Sequence, residues 1–337
     1  MPRQAPSFWA TRNARSAALL PLAALFGVLA GLRRRLYRSG LLKAERLPVP
    51  VIVVGNIAVG GSGKTPVAHW LAGQLRAAGR RPGIVSRGYG GRVEGCALVP
   101  ADGDPGLYGD EPVLLARLTG CPVAVGADRP AAARALLAAH PECDVIVCDD
   151  GLQHYRLARD VELAVVDEAT LGNRWRLPSG PLREGLERLR EVDAVFAHGA
   201  LSPALQARLE GCAVYPLRLG GARFRALDGS GREVGAEHFH GQRVHALAGI
   251  GRPQRFFEHL RALGLEVDGQ AFPDHHHFLP ADLAPDDGRP RVMTSKDAVK
   301  CAAFAPANCW ELPVVAEIPP DAAQRILEKL PHGRQTA

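Results

Sequence analysis

The sequence predicts an α/β protein: a parallel sheet alternating with helices, preceded by an N-terminal apolar helix and followed by a second, smaller α/β unit. Three observations carry this. Short β-branched runs alternate with helix-length stretches from residue 49 to residue 166, the pattern of βαβ units around a parallel sheet. The first such run ends in a glycine-rich loop that opens a helix. A Gly220-Gly221 pair separates two alternating runs, and a new strand–turn–helix pattern begins at His245. The 337 residues suit about two units. A composition of 47% hydrophobic and 23% charged residues excludes disordered, collagenous and coiled-coil classes.

Residues 49–54 are apolar and mostly β-branched, so they read as a strand buried on both faces. Residues 66–78 follow with helical spacing and stop at Gly79. Residues 83–86 form a second strand that opens into Arg87-Gly88-Tyr89-Gly90-Gly91. A helix over 112–118, a strand over 123–125, an alanine-rich helix over 130–139 and strands over 144–148 and 162–166 complete the first unit. The runs 213–219 and 222–227 flank Gly220-Gly221 and read as a hairpin, which places a boundary there. The second unit takes a strand over 245–248, a turn at Gly249-Ile250-Gly251, a helix over 253–263, strands over 291–294 and 314–318, and a closing helix over 321–330. Residues 280–290, rich in Pro and Asp, read as a surface loop. The organisation expected is a segment 1–45, a unit 46–218 and a smaller unit 219–337.

Residues 16–32 are an unbroken apolar run, with Arg3, Arg12 and Arg15 before it and Arg33, Arg34, Arg35 and Arg38 after it. As a helix it would be about 25 Å long, short of a hydrocarbon core of about 30 Å, and Pro21 weakens it further. A signal peptide cleaved after Val28-Leu29-Ala30 and a buried core helix are the competing readings. The reading adopted is a helix at the membrane interface whose arginines reach anionic headgroups. Charge distribution agrees. The net charge is +6, but the first 46 residues hold nine basic residues and one acid, against 32 and 34 in the remainder. That distribution excludes a nucleic-acid-binding body and favours an anionic surface near the N-terminus. Seven cysteines without a C-x-x-C pair fit reduced thiols better than disulfides or a zinc ribbon.

Ala58-Val59-Gly60-Gly61-Ser62-Gly63-Lys64-Thr65 lies between the first strand and the first helix, the context of a phosphate-binding P-loop, with Ala58 in place of the first glycine. Glycines let backbone N–H groups converge on phosphates, and the helix N-terminus adds partial positive charge. Gly60, Gly61, Ser62, Gly63, Lys64 and Thr65 are therefore the nucleotide-binding residues, Lys64 reaching the β/γ-phosphates and Thr65 the Mg²⁺ ion. Such a site needs an acid at the end of a neighbouring strand. Asp149 and Asp150 end the run 145–148, and Asp149 is the metal acid expected. Thr294-Ser295-Lys296-Asp297 is close to a guanine-reading element but carries its lysine in the wrong place, and Val59 stands where partition ATPases carry a second lysine. ATP and a kinase follow.

The sequence resembles the tetraacyldisaccharide 4'-kinase family, the lipid A 4'-kinases. The residues that carry the likeness are Gly55-Asn56-Ile57 through Pro66, Ser86-Arg87-Gly88-Tyr89-Gly90, Gly109-Asp110-Glu111-Pro112 and Asp149-Asp150-Gly151-Leu152-Gln153-His154. Leu177 to Glu184, Phe272-Pro273-Asp274-His275-His276 and Thr294 to Lys300 extend it over nearly the whole chain. Leu152 stands where the family has Phe. The likeness implies Mg-ATP-dependent phosphorylation of the 4'-hydroxyl of a tetraacylated glucosamine disaccharide 1-phosphate. It places the enzyme peripherally on the cytoplasmic face of the bacterial inner membrane, with no obligate protein partner. It makes Asp110 the catalytic base or the group that orients it, Glu111 a neighbour of Mg²⁺ and His275 the partner of Asp110, brought in from the second unit. Arg183, beside a proline–glycine loop, can contact a substrate phosphate. Lys296 could serve nucleotide or lipid phosphate. The alternative reading is a P-loop ATPase or metallochaperone with the run His275-His276-His277 binding metal.

Overall fold

The computed structural model describes residues 6–283 and 287–330; Arg3 of the basic segment and Pro285 and Asp286 of the expected loop lie outside them. Strand β1 (Val51–Gly55) has no exposed residue. Its side chains alternate between two layers: Ile52 and Val54 enter the core with Leu71, while Val51 and Val53 enter the opposite core with Leu136. Helix α3 (Lys64–Ala77) supplies the first of those layers through Val67, Ala68, Leu71, Ala72 and Leu75. Strand β2 (Pro82–Ser86) is equally buried. A short edge strand β3 (Cys96–Leu98) and a helical turn α4 (Pro105–Tyr108) precede α5 (Asp110–Thr119), β4 (Val123–Gly126) and α6 (Arg129–Ala139). Buried strands β5 (Val145–Asp149), β6 (Val161–Val166) and β7 (Ala194–His198), a short helix α7 (Pro203–Arg208) and β8 (Val214–Gly220) follow.

Six of these strands run parallel in the order β8-β7-β6-β1-β5-β2, with β4 parallel beyond β2 and β3 antiparallel at that edge. Strand order reverses around β1: the chain passes to β2 and β4, returns to β5, then crosses to β6. Ligands of open α/β sheets bind outside the carboxyl ends of strands at such a point. Register sets the site there, because Val54 of β1 pairs with Asp149 of β5.

The second sheet contains β9 (Arg223–Ala226), β10 (Glu233–Gly235), β11 (Arg243–Ala248), β12 (Glu266–Ala271), β13 (Arg291–Thr294) and β14 (Cys309–Leu312), in the order β10-β9-β14-β13-β11-β12. Helix α8 (Pro253–Ala262) covers it through Phe256, Phe257 and Leu260, and α9 (Ser295–Cys301) follows β13 directly.

Two expectations are corrected here. Gly220-Gly221 does not turn a hairpin, since β8 and β9 belong to different sheets. The pair carries the chain from one sheet to the other, and a Cβ on Gly221 would come within 2.2 Å of the Pro313 carbonyl oxygen on the return crossing. The C-terminal part of the expected unit 219–337 also belongs elsewhere. β15 (Val315–Glu317) pairs antiparallel with β8 on the first sheet. α10 (Pro320–Glu328) buries Ala322 and Ile326 in the core that holds Leu71. Apolar surface left on α3 and β8 decides this placement, which the sequence pattern of a lone strand and helix does not reveal.

At the N-terminus, α1 (Ala14–Ala18) starts from a capping box between Asn13 and Ser16, and α2 (Leu20–Arg38) extends beyond the apolar run. Ala23 and Gly27 face the body, Gly27 against Arg176. Leu22, Leu25, Val28, Leu29 and Leu32 are 50–65% exposed. No described helix is long and apolar enough to cross a membrane. Three of the arginines after the run also have partners on the protein, although Arg33 and Arg38 stay exposed. Arg34 and Arg38 pair with Glu191, and Arg33 donates to the Gln153 carbonyl and lies over Tyr37.

Candidate active site

The P-loop leaves β1 at Gly55 and ends where α3 begins at Lys64. It is braced from below. Val59 N donates to Pro181 O at 2.9 Å and Arg183 N to Ile57 O at 2.7 Å. The same 173–184 segment holds the N-terminal arm, with Trp9 Nε1 on Pro178 O at 2.9 Å and Asn173 N on Trp9 O at 2.8 Å. Within the loop, Ser62 is buried and its hydroxyl accepts from Asn56 Nδ2 at 3.0 Å.

The two adjacent aspartates have separate environments. Asp150 lies 3.7 Å from Lys64 Nζ and 3.0 Å from Arg183 Nη1. Burial opposes its charge, but Lys64 and Arg183 hold its carboxyl below the usual carboxylate range. Arg183 also reaches Gln153 Oε1 at 3.3 Å, so it braces the phosphate site through Asp150. Asp149 is fully buried. Its Oδ2 accepts from Ser86 Oγ at 3.5 Å and its Oδ1 has no hydrogen-bond partner. Burial, then Glu111 and Asp150, push its carboxyl up to about 7. An orphaned carboxylate oxygen among like charges beside a P-loop suits a hard cation.

Asp110 is positioned by α5. Gly109 before it takes φ 91°, and a Cβ there would come within 2.8 Å of the Tyr89 carbonyl oxygen, so only glycine fits. Asp110 is buried and accepts from His275 Nδ1 at 3.0 and 3.1 Å. Burial opposes its ionisation, yet the His275 hydrogen bond and Lys296 hold it below its ordinary range. His275 sits at φ 58°, with its backbone N donating to Gly249 O at 3.2 Å and its ring edge-on to Tyr89 at 5.1 Å. Gly249 is pinned in turn, its N donating to Asp297 Oδ2 at 2.9 Å, while Thr294 Oγ1 donates to the same oxygen at 2.7 Å. The near-guanine element is thus a structural brace for the turn that carries His275.

Asp110 and His275, 165 residues apart, lie within hydrogen-bond distance of each other, the pairing that the family resemblance implies. Glu111 lies with Lys296, its Oε1 3.1 Å from Lys296 Nζ, and is close enough to Asp149 to raise it. His276 turns away to Asp282 at 3.0 Å, so the histidine run does not converge on one point. The turn after β11 also lies against the P-loop: a Cβ on Gly251 would be 3.9 Å from Gly61 N. Next to it, Arg252 and Arg255 bind buried Asp167 at the end of β6, at 3.1 and 2.5 Å. This second clasp between the sheets had no signal in the sequence, because Asp167 and the arginines are about 85 residues apart.

A model of the tetraacyldisaccharide-1-P 4'-kinase (LpxK) family matches residues 15–331. The chain is 66% identical over 337 residues to a tetraacyldisaccharide 4'-kinase of Aromatoleum aromaticum, covering 100% of both. It is 64% identical over 336 residues to one of an Azoarcus species, covering 99% of this chain and 97% of the relative. The crystal structure of LpxK from Aquifex aeolicus in complex with ATP aligns with a TM-score of 0.78 at 29% identity, over 94% of this chain and 99% of that one. This chain belongs to the tetraacyldisaccharide-1-P 4'-kinase family.

Proposed function

We infer that the protein transfers the γ-phosphoryl group of ATP to the 4'-hydroxyl of a tetraacylated glucosamine disaccharide 1-phosphate. The observation that carries this reading is the Asp110–His275 pair, formed across the two sheets beside a P-loop. A nucleotide switch has no use for an imidazole held by a buried carboxylate near the phosphate site, whereas transfer to a hydroxyl needs a positioned proton acceptor. The diverging histidines give the metallochaperone alternative no comparable support.

In the proposed reaction, P-loop amides and Lys64 orient the phosphates, with Asp150 and Arg183 holding Lys64 in place. The acceptor hydroxyl meets His275, whose Nε2 takes the proton while Asp110 fixes the ring through Nδ1. The sugar oxygen bonds to the γ-phosphorus, and the bond from that phosphorus to the bridging oxygen breaks, its electron pair leaving with ADP. Asp149, Thr65 and Glu111 would hold Mg²⁺, which supplies charge neutralisation to the nucleotide phosphates. Arg183, hydrogen-bonded to Asp150 at 3.0 Å, braces the phosphate site in this reading and stands close enough to it to meet a substrate phosphate as well. The exposed leucine face of α2 would enter the cytoplasmic leaflet of the inner membrane and deliver the lipid acceptor at the P-loop through the 173–184 segment.

The test is transfer of labelled γ-phosphate from ATP to the purified disaccharide lipid. The expected result is label at the 4' position, lost in a folded Lys64→Ala protein. ATP consumption that is independent of the lipid would overturn the reading.

A further inference from the structure

Lys296 lies in the first turn of α9, where Thr294 caps the helix by accepting from Asp297 N at 3.2 Å. Its side chain is largely buried and its Nζ meets four groups. Glu111 Oε1 is at 3.1 Å, His275 Nε2 at 3.3 Å, Asp274 Oδ1 at 3.7 Å and Asp110 Oδ2 at 3.9 Å. We propose that Lys296 is a positioning residue for the base: it fixes the tautomer of His275 that leaves Nε2 unprotonated, and covers that nitrogen until the acceptor hydroxyl replaces it. This rests on the kinase reading above.

An ammonium carries three N–H donors and no acceptor. The ring nitrogen 3.3 Å from it must therefore accept. An ionised carboxylate only accepts, so the nitrogen 3.0 Å from Asp110 must donate. Both partners select the same ring, with the proton on Nδ1 and the lone pair on Nε2. A ring protonated on both nitrogens would turn an N–H against the ammonium. Three carboxylates, Glu111, Asp274 and Asp110, surround the Lys296 nitrogen at 3.1, 3.7 and 3.9 Å and favour its ammonium form.

The lone pair that must take the substrate proton is thus already occupied. When the sugar hydroxyl arrives it replaces Lys296 at Nε2, its O–H bond breaks toward that nitrogen, and the oxygen bonds to the γ-phosphorus as ADP leaves. Lys296 loses one partner and keeps Glu111 and Asp274. The structure explains why a lysine of the second sheet unit reaches back over α5: it occupies the place of a proton donor at the base before a substrate is present.

The test uses full-length protein with ¹⁵N-labelled histidine. Nitrogen shifts of His275, assigned by comparison with His275→Ala, should show a protonated Nδ1 and an unprotonated Nε2 in the wild type. In Lys296→Met the single-tautomer signature should be lost, kcat should fall about 10²-fold, and the KM for ATP should stay within twofold. In the His275→Ala background the same substitution should change kcat by less than twofold. A wild-type ring with its proton on Nε2 overturns the proposal, whether or not the variant folds. So does a Lys296→Met protein whose main defect is a raised KM for ATP, or whose kcat loss persists without His275, because either would mean Lys296 acts on phosphate. Absence of lipid phosphorylation by the wild type would strike the kinase reading instead, and the nitrogen shifts would still decide the role of Lys296.

Discussion

Asp149→Asn should make the nucleotide-free protein more stable at neutral pH while abolishing phosphoryl transfer. The carboxyl of Asp149 is pushed from an ordinary value of 3.8 up to about 7, first by burial and then by Glu111 and Asp150. A shift of about three units corresponds to about 4 kcal/mol of disfavoured charge. Asparagine removes that charge, but its amide N–H groups have only a crowded pocket to bond into, a cost of about 1–3 kcal/mol. The net gain expected at pH 8 is therefore about 1–3 kcal/mol. Its pH dependence has a definite sign. Below about pH 4 both the folded and the unfolded chain hold this proton and there is no penalty. Between about pH 4 and 7 the unfolded chain loses it while the folded protein retains it, so the wild type loses stability as pH rises. Above about pH 7 the penalty is complete. The advantage of Asp149→Asn should consequently be about 2.5 kcal/mol smaller at pH 5 than at pH 8. Urea unfolding in EDTA at the two pH values measures it. Addition of Mg-ATP should stabilise the wild type, by about 2.7 kcal/mol at a hundred times Kd, and leave the variant unaffected. A variant less stable than the wild type at pH 8, or a difference that does not change with pH, would refute the argument that Asp149 is held charged at a cost for a cation.

Replacing Leu25, Val28, Leu29 and Leu32 together by Gln should reduce binding to anionic vesicles by about 10³-fold, since each exposed side chain entering the acyl region is worth on the order of 1 kcal/mol. Thermal unfolding should not change, because these side chains are at least half exposed; an unchanged bound fraction would place membrane attachment on another surface. Asp297→Ala removes the acceptor of Gly249 N and Thr294 Oγ1 and strands Lys300, 2.7 Å away. It should destabilise the protein by about 3–5 kcal/mol in urea unfolding; a loss below about 1 kcal/mol would show that the brace of the His275 turn is dispensable.

The sequence made legible what chemistry fixes locally. The P-loop and its neighbouring acid obey spacing rules, and their strand–loop–helix context is contiguous, so residues 55–65 and Asp149 could be placed without coordinates. The buried strands β1, β2, β5 and β6 announced themselves because parallel strands covered on both faces are apolar throughout. β12 did not, since it is an exposed edge strand with the polar sequence EVDGQA. β14 hid behind Glu311, a fully buried carboxylate that Arg117 and Arg225 from other elements make acceptable. Sheet membership was the least readable property. The runs flanking Gly220-Gly221 look like the arms of a hairpin, and only the competition for partners across the whole molecule sends them to separate sheets. The same holds for the site. Lys64 is marked by its motif, whereas the contacts of Lys296 with His275 and Glu111 arise only on folding and no motif announces them.

The account depends most directly on Asp110 and His275 working as one base assembled across the two sheets. A double-mutant cycle on kcat, with Asp110→Ala, His275→Ala and the double variant assayed for 4'-phosphorylation at saturating Mg-ATP, tests it. The two groups are joined by a hydrogen bond of 3.0 Å, and residues that act as a unit are strongly non-additive. Each single variant should lose about 10²-fold or more in kcat with little change in the KM for ATP. The double variant should be barely slower than the slower single. Losses that multiply would contradict the account, leaving Asp110 and His275 as independent contributors rather than one base.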